Sequence, residues 1–263
     1  MRANGNSPDS AARWRRALRN VLLVAAGALV AVSWLLTLPG AGLTLGHDLI
    51  LYQNHLRDML SGAPMYPARE LAGPFTIADG DILYPPFAIL AFMPTLILPL
   101  PLWWLIPAAI TAWAFRDIRL KPWAIVALLL CLANPLTPEL VWVGNPDIWL
   151  VAALAAAVRW NGLWAAFVFF KPSVFEFSLV GIRSRWWWVV AAGFATASLV
   201  MLPATIDWIH VLLNSRGAAM RSGFGYSLLD MPLLAMPLIA WYGRSRGPGQ
   251  PATQGAGTEA RPD

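Results

Sequence analysis

Charge is scarce in this chain. Asp, Glu, Lys and Arg together make up 13% of its 263 residues, about half the share usual in a soluble domain, which argues against an ordinary water-facing surface. Cysteine is scarcer still. Cys131 stands alone inside an apolar run, which excludes an intramolecular disulfide and a multi-cysteine metal site. The three histidines, His47, His55 and His210, are scattered without the spacing of a ligand set, so no metal and no cofactor is expected. Lysine is limited to Lys121 and Lys171. The formal net charge of +5 comes from arginines at the tips of hydrophobic segments. Positive charge there orients a chain in a membrane and meets anionic headgroups; it does not imply nucleic acid.

What is abundant is apolar. Hydrophobic residues reach 58%, with a mean hydropathy of +0.56, and several runs approach the roughly 20 residues a helix needs to cross a bilayer. The expected fold is all-α, a polytopic transmembrane helical bundle of about six to eight crossings. Residues 21–38 read as the first crossing, because the run is long for a signal core and ends without a small-x-small cleavage site. "RWRRALRN" places Arg13, Arg15, Arg16 and Arg19 just before it, which puts the N-terminus in the cytoplasm.

The organisation expected from this is a basic cytoplasmic tail over 1–20, polar and disordered at its start, followed by a membrane domain over 21–242. A large external loop at 40–83 and a second external link at about 204–226 interrupt that domain, and 243–263 form a disordered cytoplasmic tail. The predicted location is the inner (plasma) membrane of a bacterium, with both termini cytoplasmic and the lipid bilayer as a partner. Two stretches leave alternatives open. Residues 84–115, broken by "LPLPLWW", fit two short crossings or one crossing plus an interfacial piece. Residues 163–182 are flanked by arginine on both sides, and Lys171-Pro172 lies mid-run. Proline breaks the helix there, so two half-helices that enter and return are preferred. Many of the 15 tryptophans, including Trp34, Trp103, Trp104, Trp142, Trp186, Trp187 and Trp241, fall at segment ends and read as interfacial anchors.

The external loop carries the first chemistry. In "LTLGHDLILYQNHLRDMLSGAPMYP", Asp48 follows shortly after the first crossing, among His47, Tyr52, Arg57, Asp58 and Tyr66. "LILYQNHLRDMLSG" has the spacing of a short amphipathic helix, with Leu49, Tyr52, Leu56 and Leu60 near one face and Gly62 as its stop. Tyr84-Pro85-Pro86 suits a helix start at headgroup level. Arg69, and Arg216 and Arg221 in the second link, read as solvated charges with some prospect of meeting phosphate. Asp79 and Asp81 are weak candidates for a cation, and His210 reads as flanking an interfacial helix. Lys171 is the sharpest feature. A lysine in mid-membrane costs about 2.5–3.5 kcal/mol and so faces a cavity or partner; contact with a phosphate, pairing with Glu176 and snorkelling all fit.

"GHDLILYQNHLRDMLSGAPMY" followed by "YPP" resembles the first external loop of the family-87 glycosyltransferases, GT-C-class enzymes that use polyprenyl-phosphate sugars and include mannosyltransferases. The resemblance continues through "NPLTPELVWVGNPD", with Asn134, Pro135 and Gly144 in place but Asn145-Pro146-Asp147 where Gln and Asn are usual. "GLWAAFVFFKPS" matches at Lys171 and Pro172, and Tyr226-Ser227 is a weak match to a later motif. Family relatives continue through further C-terminal helices, so the resemblance implies a shortened member or one whose missing helices come from a membrane-protein partner. It also implies a polyprenyl-phosphate sugar donor, a glycolipid or glycan acceptor, Asp48 as general base, and His47, Tyr52, Arg57, Tyr66, Tyr84 and Lys171 as substrate-binding residues. Two other readings fit the sequence: a non-catalytic scaffold, and a small transporter, although no inverted repeat is present.

Overall fold

Proline and glycine segment the chain. Proline lacks an N–H and suits the first turn of a helix: Pro86 opens α4 (Pro86–Leu90), Pro122 opens α6 (Pro122–Ala133) and Pro203 lies in the first turn of α10 (Leu202–Asn214). The computed structural model describes residues 8–40, 44–77, 81–215 and 225–245. The described residues form helices joined by loops, with one isolated bridge between Leu120 and Arg244. The remaining helices are α1 (Pro8–Gly40), α2 (His47–Leu60), α3 (Ala68–Leu71), α5 (Leu102–Phe115), α7 (Leu136–Val143), α8 (Asp147–Arg159), α9 (Arg185–Val200) and α11 (Gly225–Tyr242). Two 3₁₀ segments, Gly162–Phe170 and Pro172–Gly181, lie between α8 and α9.

These segments run between two ends. At one end the chain near 119–121 meets 243–245: Lys121 N–H donates to Gly243 O at 2.7 Å and Ser245 N–H to Arg119 O at 2.7 Å. Arg159, at the foot of α8, lies 4.0 Å from Asp117 there. At the other end Gly46 N–H donates to Trp142 O at 3.0 Å, and Trp103 Nε1 donates to Gly144 O at 2.8 Å. The 3₁₀ segments make a hairpin between the two. Its legs close on each other at Gly162 and Gly181, where a Cβ on Gly181 would lie 2.0 Å from Gly162 O. Ser184 also donates to Asn161 Oδ1 at 3.0 Å. Lys171 stands at the tip between the legs, so the chain reverses at the Lys-Pro break, in 3₁₀ rather than α form.

Among the described residues there are two cores. Leu150, Leu154, Val168, Val174, Trp187 and Leu234 pack the bundle between α8, the hairpin, α9 and α11. Leu49, Leu56, Tyr66, Ile89, Trp103 and Val211 pack a cap made by α2, the segments 66–77 and 81–84, α4, the start of α5 and α10. Among the described residues no single helix is long and apolar enough to cross a membrane; the bent pairs α6–α7, at 64°, and α9–α10, at 97°, pass that test together.

Several sequence expectations change. Helix α1 already begins at Pro8, inside the stretch read as a disordered tail. The link 134–147 contains α7, and the link read from about 204 begins inside α10. Residues 84–115, for which the sequence leaves two arrangements open, hold the 14-residue α5 preceded by the short α4 and a 3₁₀ turn at Met93–Leu96, which fits either arrangement. Trp103 and Trp187, read as anchors, are 8% and 4% exposed, because their rings fill the cap and bundle cores. Leu60, placed on the buried face of α2, is exposed in the helix's last turn.

Candidate active site

Helix α2 places Asp48 in its first turn, where unpaired backbone N–H groups and the helix dipole favour a carboxylate. Its start is rigid for a local reason. Gly46 adopts a left-handed φ of 76°, and a Cβ there would come 3.3 Å from the Trp104 ring. The hydrogen bond from Gly46 to Trp142 then fastens the helix to the end of α7. Helix α7 stops at Gly144, also left-handed at φ 72°, and the indoles of Trp103 and Trp104 donate to Gly144 O and Val141 O at 2.8 and 2.6 Å. The link 144–147 is thereby held against α2 and α5.

That link binds both charges singled out from the sequence. Asn145, 7% exposed, donates from Nδ2 to Asp48 Oδ2 at 2.8 Å. Its own Oδ1 accepts from the Asp147 backbone N–H at 3.1 Å. Asp147 is fully buried, and both of its oxygens accept from Lys171 Nζ at 2.9 Å. The carboxylate that receives Lys171 is therefore Asp147, at the head of α8, and not Glu176 of the same hairpin. A buried pair of this kind needs both members, since either alone would leave an uncompensated charge.

Tyr52 lies one turn along α2 from Asp48. Its hydroxyl is hydrogen-bonded to Tyr84; the two rings meet edge to face at 5.5 Å, and Tyr52 stacks on Phe92 at 4.7 Å. Burial above all, then the neighbouring Tyr84 and Asp48, hold the Tyr52 phenol well above its ordinary value, against the opposing pull of Lys171. Tyr52 is therefore a neutral hydroxyl at physiological pH. Beside this group opens a cavity of about 210 Å³ lined by Leu49, Tyr84, Phe92, Trp103, Trp149 and Lys171, among other largely apolar side chains.

The structure brings together Asp48, Tyr52, Tyr84 and Lys171, with His47 adjacent to Asp48 in the same helical turn. It does not bring Arg57 or Tyr66 to them. Arg57 is in the last turn of α2, exposed and donating to Asn54 Oδ1 at 2.9 Å. Tyr66 is buried in the cap core, and its hydroxyl donates to the Tyr84 carbonyl at 2.7 Å, a contact that fastens the loop in front of α4. Arg69 pairs with Asp81 beside buried Glu70. Burial, and next the charge of Asp81, push the Glu70 carboxyl up to about 7. His210 is exposed on α10. Asp79, Arg216 and Arg221, and the side chains of Tyr226 and Ser227, lie outside the described residues.

Asn145 and Asp147 are the functional candidates that sequence reading passed over. The available signal was an Asp directly after Asn-Pro at the head of an apolar helix, a position with no solvent to explain its charge. No protein-family model, curated protein or solved structure matches the chain.

Proposed function

We propose that the protein is an integral-membrane glycosyltransferase that moves a sugar, mannose by resemblance, from a polyprenyl-phosphate donor to a glycolipid or cell-envelope acceptor on the external face. The observation that carries this reading is the convergence of Asp48 and Lys171 on one short link, beside an apolar cavity whose wall includes Lys171. The membrane setting is supported by apolar side chains on the outside of the molecule, such as Val24, Leu36 and Val200 at 72%, 74% and 79% exposed, which suit lipid contact. Arginines collected at one end agree with a cytoplasmic face.

In this reading the acceptor hydroxyl oxygen attacks the anomeric carbon while Asp48 takes its proton. The bond from that carbon to the donor phosphate oxygen breaks, and polyprenyl phosphate leaves with the electron pair. Lys171 donates to the departing phosphate from the cavity wall. Because Asp147 offsets its charge, Lys171 acts by directed hydrogen bonding more than by net positive field, with the neutral hydroxyl of Tyr52 and the side chain of Tyr84 on the same side. The lipid tail occupies the apolar cavity, so the sugar phosphate reaches Asp48 without leaving the bilayer.

A second reading, a small transporter, is favoured by one observation: a buried ion pair at the tip of a hairpin of half-helices, an arrangement that also suits ion or substrate pathways. Transfer of radiolabel from polyprenyl-phosphate-mannose into membrane lipids separates the two, with wild type and Asp48→Asn compared at matched membrane levels. Loss of transfer in Asp48→Asn is expected. Equal transfer by both proteins overturns the catalytic role of Asp48, and transfer by neither overturns the mannosyl assignment.

A further inference from the structure

We infer that Asn145 is a positioning residue for Asp48, keeping its carboxylate ionised and fixing its plane toward the acceptor hydroxyl; this inference rests on the glycosyl-transfer reading. Both ends of the Asn145 amide are engaged. The backbone N–H of Asp147 can only donate, and it faces Asn145 Oδ1 at 3.1 Å. A carboxylate oxygen of Asp48 accepts, and it faces Asn145 Nδ2 at 2.8 Å. The reverse orientation would set N–H against N–H and oxygen against carboxylate, so the neighbours permit one orientation only.

The amide is also immobile. Asn145 is 7% exposed, Gly144 before it is held by the Trp103 indole, and Pro146 after it restricts the backbone. On the opposite side, Gly46 ties the start of α2 to Trp142. Donor and acceptor are thus fixed from both directions, which is the condition for a supporting hydrogen bond to set the geometry of a reacting group.

The groups facing Asp48 show why a neutral donor is needed. His47 precedes it in the same turn, Tyr52 and Tyr84 lie along the neighbouring face, and Asp147 with Lys171 stands across the link. Lys171 donates to both oxygens of Asp147, and Tyr52 is neutral. A hydrogen bond to the ionised form favours that form, against the desolvation that opposes it. Asn145 supplies one without adding a charge that would compete for the donor phosphate.

The test reads the Asp48 carboxyl directly. Infrared difference titration, with the Asp48 band identified by its loss in Asp48→Asn, is run on the full-length protein and on Asn145→Ala and Asn145→Asp. Asn145→Asp retains an oxygen for the Asp147 N–H and so preserves the start of α8. Both substitutions are expected to raise the Asp48 midpoint by at least about one unit. The acid limb of the transfer-rate profile should move by the same amount, with transfer below that limb reduced about tenfold. An unmoved midpoint in both variants overturns the inference even where sugar transfer is intact. A raised midpoint in a protein that transfers no sugar upholds the contact and overturns the glycosyl-transfer reading, so the two failures are distinct.

Discussion

At one end of the molecule, charged side chains lie on the surface over indole rings. Arg116 is 61% exposed and paired with an equally accessible Asp117, and its guanidinium sits 5.8 Å from the Trp113 ring; Arg185 and Arg244 lie over Trp186 and Trp241 in the same way. The other end carries exposed arginines too, but it also holds carboxylates inside the fold: Asp147 and Glu70 are 0% and 1% exposed, and Asp48 has its own amide donor. Exposed pairs in water are worth little individually, so the first set does its work through sign and location. Within the second set Asp48 and Asp147 are tied atom by atom to particular neighbours, whereas Glu70 is buried without a hydrogen-bond partner for either oxygen. Where a carboxylate is kept despite the penalty of burial, chemistry or a structural lock is the reason.

The largest expected effect in this contrast is at Lys171. Lys171→Met leaves Asp147 charged and buried, and should lower stability by about 3–5 kcal/mol, read as loss of folded protein in detergent on heating. The double change Lys171→Met with Asp147→Leu should recover most of that loss, because no lone charge is left. If the single change is harmless, the buried pair is not the lock described here.

An intermediate effect is expected at Glu70. The folded protein holds this proton up to about 7, whereas the free side chain releases it near 4.5. Between those values the folded state binds more protons, so this contribution is fully present below 4.5 and stability declines as pH rises through 7. Glu70→Gln should flatten that decline in pH-dependent melting, and an unchanged slope would place the effect elsewhere.

The smallest effects should come from exposed arginines at both ends. Arg57→Ala and Arg116→Ala are each expected to change stability by less than about 0.5 kcal/mol and to leave sugar transfer at the wild-type rate. A large loss of transfer in Arg57→Ala would return that residue to the site.

The parts legible in the sequence were those set by local rules. Spacing gave α2 and its stop at Gly62, the Pro-Pro start of α4, and the reversal at Lys171-Pro172, because period, proline and glycine act within a few residues. What sequence could not supply was pairing across distance. Glu176 lies near Lys171 in the chain, yet the lysine reaches Asp147 on another helix. Arg57 and Tyr66 share a segment with Asp48, but helical geometry turns one outward and the cap core absorbs the other. Trp103 and Trp187 fall at segment ends, where interfacial anchors were expected, and are buried all the same, because the ends themselves pack against neighbours. In each case the tertiary neighbour, absent from any local window, decided the role.

The proposed function requires a bilayer between the two ends. Single cysteines at Asn54, on the exposed face of α2, and at Asp117, 67% exposed at the arginine-rich end, in a Cys131→Ser background, test it with a membrane-impermeant maleimide on intact cells. Asn54→Cys should label at once and Asp117→Cys only after permeabilisation. Labelling of both in intact cells, or the reverse order, would contradict the account.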